Sequence, residues 1–332
     1  MRWMTLVGSL LLVLGLAGCD GRPDRIRIVH AGSLSVPFLQ LEEAFEARNP
    51  GLDLQRQAYG SAAAVRQVTD LGRPVDLVGV SDYQLIDRMM IQASPRTAEW
   101  NVLFARNAIG IAWREGTEPV TPQNWAEVLA AGEATYGISD PNRDPCGYRS
   151  LFAIYLAGGE KLLRELILSH SNIELRAGDD VAAPSTIEVE DPLILRPKET
   201  DLVGLLEAGG LDYLFIYQSV AVQHGLEFME LPPEANLADP ARVADYARVR
   251  IVQNADLPQK SVSVAGAPIV YGVTVPGTAQ HPEAAARLVR FLLSETWKRM
   301  MQEAGQEPLR PAVLSPVSRP AAAPVALEKL EG

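Results

Sequence analysis

Cysteine is almost missing from this sequence: its 332 residues hold two, Cys19 and Cys146, beside only four histidines. Cys19 belongs to an N-terminal leader described below, so the body of the chain keeps one thiol and needs no disulfide. A zinc site of clustered cysteine and histidine is excluded on the same grounds. No GxGxxG, Walker A, HExxH or GxSxG pattern occurs, which removes the usual signatures of dinucleotide, triphosphate, zinc-peptidase and serine-hydrolase chemistry. Positive charge is scarce as well: 30 Lys and Arg stand against 41 Asp and Glu, a formal net charge of -11. That balance argues against a nucleic-acid partner, whose binding rests on a basic face. It also makes any anion site a local matter of dipoles and hydrogen-bond donors.

Long apolar runs are limited to one, Leu6–Leu16, which follows Arg2 and ends in "LAGC" at Cys19. It falls short of the roughly 20 residues that a spanning helix needs and reads as an export signal. The small residues Ala17 and Gly18 before Cys19 resemble a lipoprotein signal-peptidase box. On that reading residues 1–18 are removed, Cys19 is lipidated, and residues 19–24 tether a domain to the extracytoplasmic, or periplasmic, face of the membrane. The plainer reading is an ordinary signal peptide in which Cys19 is incidental.

What remains, just over 300 residues with 47% hydrophobic content in the whole chain, is enough for one large domain or two medium ones. Blocks rich in branched residues alternate with helical patterns, which means α/β layers. "RIRIVHAG" precedes "LSVPFLQLEEAFEARN", where Phe38, Leu41 and Phe45 share a face; "LDLQRQAYG" precedes "SAAAVRQVTDLG"; "DLVGVSD" precedes "YQLIDRMM". A helix opened by "CGYRS" is expected to close at Gly158–Gly159, and Pro282 opens a late one. The hydrophilic segment Ser171–Asp191 reads as a surface loop or hairpin. "NVLFARNAIGIAWR" and "PIVYGVTV" are the natural places for the chain to cross between two lobes, and the Pro/Ala-rich end wraps the surface or frays.

Four helix entrances carry polar residues: Ser33 in "HAGSLSVP", Ser61 in "YGSAAAV", Asp144–Gly147, and Glu199 in "RPKETDL". Free N–H groups and the dipole make such entrances receptive to oxyanions, and serine hydroxyls add donors. Gly32 and Gly60, each preceding one of the serines, permit close backbone approach. A simpler account stands beside each. The serines are ordinary caps, Asp144 is a capping acid, and Glu199 is an acid in a favourable first turn. Cys146 is either a buried, inert thiol or a nucleophile with His30 or His224 as base.

Together "HAGSLSVPF", "GSAAAVRQVTDLGRPVDLVGVSDYQLIDRMM", "SDPNRDPCGYRSLFAI", "ETDLVGLLEAGGLDYLFIYQSVAVQHG", "PIVYGVTVP" and "GQEPLRP" resemble the periplasmic tungstate/molybdate-binding proteins common in archaea, which feed an ABC transporter. The agreement runs in the family's order from about residue 26 to 311; "HAGS" alone would suggest only the wider class of type II solute-binding proteins. The resemblance implies an α/β periplasmic binding protein of type II, with two three-layer lobes, a hinge and a ligand cleft between them. Residues 25–104 and 271–315 would form lobe 1, residues 105–270 lobe 2, and 316–332 a tail. It further implies a monomer that is not an enzyme and carries no cofactor, delivering its oxyanion to a permease.

By local match, the resemblance puts Gly32, Ser33 and Ser61 on the oxo groups from the first lobe. Asp144, Pro145 and Cys146 fall on the run whose aspartate reaches the metal atom and whose backbone helps hold the oxygens. Glu199 falls on the second metal-reaching carboxylate, and Tyr217 on the tyrosine that closes the pocket. "RPKETDL" lacks the extra acid and methionines often found beside that glutamate, and Ser171–Leu195 is shorter than usual. A same-fold carrier for sulfate, thiosulfate or an organic acid would instead bring Arg149 or Lys198 to its ligand. An exported enzyme would use Cys146, and a purely structural lipoprotein would bind nothing in the cleft.

Overall fold

A computed structural model describes residues 23–315. Cys19, the export signal and the tail from residue 316 lie outside them. The chain opens with β1 (Asp24–Ala31), β2 (Leu52–Tyr59), β3 (Leu77–Val80) and β4 (Asn101–Arg106). It continues through β5 (Ile109–Trp113), β6 (Tyr136–Ser139), β7 (Glu174–Arg176), β8 (Asp180–Ala182) and β9 (Leu193–Arg196). Then follow β10 (Tyr213–Tyr217), β11 (Glu227–Glu230), β12 (Arg250–Gln253), β13 (Val262–Ala265), β14 (Val270–Thr274) and β15 (Glu307–Ser315).

These strands form two main sheets. The first has the order β15-β4-β14-β3-β1-β2, the second β11-β5-β10-β6-β9. β1 runs parallel to β2 and β3, and β10 and β9 run parallel to β6. Strands covered by helices on both faces must be apolar throughout. Accordingly "IGIAW" of β5 and "YLFIY" of β10 are buried at every position. The Ser35–Glu46 helix buries Phe38, Leu41 and Phe45 on one face, as their spacing predicts, each contributing about 1.5–3 kcal/mol. Two domains, each around its own sheet, match the α/β architecture expected of the sequence.

Two crossings join the domains. β4 passes to β5 through Asn107 and Ala108, and β13 passes to β14 through residues 266–269. They lie side by side, because the Asn107 N–H donates to the Ile269 carbonyl at 3.3 Å.

The hydrophilic segment Ser171–Asp191 contains a hairpin, β7 with β8, turned by Gly178 (φ 83°) and Asp179 (φ 63°). It does more than cover the surface: β8 pairs parallel to β12, giving a third sheet of order β13-β12-β8-β7. The side chain of Asn142 ties this sheet to the loop after β6, donating to the Pro184 carbonyl at 2.7 Å and accepting from the Asn254 N–H at 3.0 Å. The helix begun at Pro145 differs from expectation. Gly159, at φ 66° and ψ -158°, breaks it, but a further helical stretch carries the chain on to Leu166.

Candidate functional site

Every candidate group lies just beyond the C-terminal end of a strand: Ser33 after β1, Ser61 after β2, Asp144 after β6, Glu199 after β9 and Tyr217 at the end of β10. That edge is where α/β sheets present loops and helix N-termini to a ligand. Residues from both sheets meet there, and all five side chains are buried.

The capping account fails for both serines. The helix at Ser61–Thr69 has Gly60 as its N-cap, and the short turn at Gly32–Leu34 has Ala31. Ser61 Oγ instead accepts the Ser81 N–H at 3.1 Å and lies 3.0 Å from Ser81 Oγ. Ser33 Oγ accepts from the Tyr271 hydroxyl at 3.1 Å, and that hydroxyl accepts from Asn107 Nδ2 at 2.8 Å. The two glycines permit contact between the domains. A Cβ at Gly60 would stand 2.5 Å from the Arg143 carbonyl oxygen, and one at Gly32 would stand 3.0 Å from Glu199 Oε1.

Asp144 does cap its helix, accepting the Cys146 N–H at 3.3 Å, with Pro145 in the first turn. Its other oxygen accepts the Glu199 N–H at 2.9 Å, so one carboxylate joins two helix entrances. Glu199 opens its own helix, as expected, and its Oε2 is buried without a hydrogen-bond partner. Burial pushes the Glu199 carboxyl well above the usual range, and the neighbouring Asp144 carboxylate pushes it further; the Ser33 backbone N–H pulls the other way. An orphaned buried carboxyl oxygen costs about 1–3 kcal/mol, which a ligand can recover.

Tyr217 accepts from Arg149 Nη1 at 2.8 Å, and the same nitrogen donates to the Ser81 carbonyl at 2.8 Å. Arg149 Nη2 is 3.8 Å from Asp82 Oδ1, and the Tyr148 hydroxyl donates to the other Asp82 oxygen. Burial works against the Arg149 cation, but Tyr217, Tyr148 and Asp82 outweigh it and keep the guanidinium charged.

Cys146 is sealed, with its thiol against the Phe215 carbonyl oxygen at 3.6 Å. Burial pushes that thiol well up, and Glu199 and Asp144 add to the effect, so no thiolate is on hand. Neither proposed base serves it: His30 Nδ1 bonds the Ala31 carbonyl oxygen and His224 Nδ1 bonds Glu207.

Sequence reasoning missed Ser81, Asp82, Tyr148, Tyr271 and Asn107 as members of this cluster. A signal existed for the first two. "DLVGVSD" before "YQLIDRMM" repeats the strand–loop–helix pattern of the other entrances, and Asp82 caps the following helix.

Comparison with known proteins gives the family. Residues 26–307 match the family described as bacterial extracellular solute-binding protein. Over 335 residues the chain is 41% identical to the molybdate/tungstate-binding protein WtpA of Pyrococcus abyssi, covering 94% of this chain and 95% of that one. Among solved structures it resembles the periplasmic molybdate-binding protein of Azotobacter vinelandii, with a TM-score of 0.59 at 13% identity over 85% of this chain and 98% of the other. It resembles the sulfate-binding protein SubI of Mycobacterium tuberculosis H37Rv comparably, with a TM-score of 0.60 at 17% identity over 87% and 88%. Those two likenesses establish the fold and leave the ligand to the site. The protein is thus an extracellular solute-binding protein, a binder and not an enzyme. Within that class it belongs to the family of the molybdate/tungstate-binding relatives.

Proposed function

We propose that this protein captures tungstate or molybdate outside the cytoplasmic membrane and delivers it to an ABC permease. The observation that carries the reading is Glu199 Oε2, a buried carboxyl oxygen without a hydrogen-bond partner on a residue whose backbone N–H is bonded to Asp144. Two carboxylates repel any dianion they meet oxygen to oxygen. They make sense on approaching the central atom between its oxo groups. Tungsten and molybdenum accept such extra oxygen ligands, whereas the sulfur of sulfate does not. Asp144 and Glu199 therefore attract the rare anions and penalise the abundant one. Gly32, Ser33, Ser61 and Tyr217 serve the oxo groups, helped by the Pro145–Cys146 backbone at its helix entrance.

The family of the relatives supports this reading. So does the engagement of the cations that a sulfate or organic-acid carrier would employ. Arg149 is committed to Tyr217, Ser81 and Asp82, and Lys198 pairs with Asp201 at 3.4 Å. The first sheet with residues 25–104 and 271–315, and the second with residues 105–270, act as the two lobes. The ligand bridges them and favours their closed arrangement. Lipidation of Cys19 tethers the monomer to the membrane. Calorimetric titration tests the reading: tungstate and molybdate bind tightly while sulfate at the same concentration does not. Tight sulfate binding without tungstate binding overturns it.

A further inference from the structure

We propose that Arg149 is a positioning residue that orients the Tyr217 hydroxyl toward the bound oxyanion and does so only when the two domains are together. The inference rests on the reading of the site given above. A tyrosine hydroxyl has one hydrogen to give and can also accept. Arg149 Nη1 donates to Tyr217 Oη at 2.8 Å, so the tyrosine hydrogen must be directed elsewhere. Arg149 and Tyr217 belong to the second sheet's domain, while the groups that hold the guanidinium, the Ser81 carbonyl and the Asp82 carboxylate, belong to the first. Both ends of this connection are ligand groups. Ser61 Oγ accepts the Ser81 N–H, the Ser81 carbonyl accepts from Arg149, and Arg149 donates to Tyr217.

Asp82 gives the arrangement its second function. A free guanidinium beside an anion site would bind any dianion by charge alone. Here it is fully buried, balanced by Asp82 and roofed by the Tyr148 ring, 5.8 Å from its centroid. Its charge therefore reaches the ligand through the Tyr217 O–H, as a strengthened donor with a fixed direction. Separation of the domains takes Ser81 and Asp82 away from Arg149, and the hydroxyl loses its orientation. Closure and the readiness of Tyr217 become one event.

A double-mutant cycle on tungstate affinity tests this in the full chain. Arg149→Lys keeps the charge but loses the fork that spans three partners, and it should weaken binding about tenfold or more. Tyr217→Phe should weaken it by a similar factor. The double variant should bind no more weakly than Tyr217→Phe alone, because Arg149 acts through that hydroxyl. Factors that multiply overturn the inference, since a merely structural arginine would cost the same in either background. If Arg149→Lys fails to fold, Asp82→Asn in the wild-type and Tyr217→Phe backgrounds gives the same two outcomes. A wild-type protein that binds neither tungstate nor molybdate overturns both the functional reading and this inference; wild-type binding with multiplying losses overturns the inference alone.

Discussion

The two faces of the site are built on opposite principles. The first domain presents hydroxyls, Ser33 and Ser61, whose oxygens are already bonded to Tyr271 and Ser81. The second presents carboxylates, Asp144 and Glu199, one bonded through both oxygens and the other with an oxygen left over. Satisfied hydroxyls are fixed in place and discriminate by geometry. An unsatisfied buried carboxyl discriminates by what it will tolerate as a neighbour. On the proposed reading, the first face would recognise an oxyanion and the second would decide which central atom it must contain.

Breaking the second face should have the largest effect. Asn keeps one acceptor oxygen for the Cys146 N–H cap but its amide nitrogen cannot accept the Glu199 N–H, so Asp144→Asn with Glu199→Gln removes both acids at the cost of one of the two helix-entrance bonds. Tungstate affinity measured by calorimetry should fall about 100-fold or more, and sulfate should gain relative to it. A smaller loss with no change in selectivity would mean that both acids are only caps. Breaking the first face by Ser61→Ala should cost about tenfold and should do so for tungstate and molybdate alike.

The junction between the faces offers a steric test. A methyl group at Gly60 meets the Arg143 backbone, which cannot step aside as a side chain would. Gly60→Ala should weaken tungstate binding about tenfold and leave the radius of gyration larger in its presence, by small-angle scattering. Unchanged affinity and compaction would show that the faces do not need to come so close.

A test of stability instead of binding concerns His30, on the strand leading into the first face. Burial holds its imidazole down at about 4, opposed by the Ala31 carbonyl and assisted by Arg56 and Lys198. The folded protein therefore takes up this proton less readily than the unfolded chain does. Stability is intact above about pH 6.5 and is lost as pH falls toward 4, by about 2 kcal/mol at pH 5. His30→Gln should lessen the drop in unfolding free energy between pH 7 and pH 5, measured by urea titration, by that amount; identical drops would exclude His30 as the cause.

The legible part of this protein was its local chemistry. Alternating strand and helix patterns, the Pro145 and Pro282 helix starts, and polar residues at helix entrances depend on near neighbours, and a sequence displays those directly. The same locality explains the errors. Gly158–Gly159 reads as a terminus, yet the chain resumes its helix because Leu162, Leu163 and Leu166 have a core to enter. The third sheet escaped notice since β7 and β8 are three residues each and gain their meaning from β12, some 70 positions away along the chain. Arg149 looked like a possible ligand for an anion; its partners Ser81 and Tyr217 are each 68 residues distant, and only the fold brings them together.

Cys146 ends up with a role defined by inaccessibility. Its backbone helps shape a helix entrance beside the acids, while its sulfur is turned away and held protonated beneath them. Thiolates coordinate and reduce high-valent metals, so an open sulfur here would compete for an oxyanion held beside the acids as proposed. With that sulfur entombed, a carrier that holds its oxyanion here as proposed would offer it no thiolate to react with.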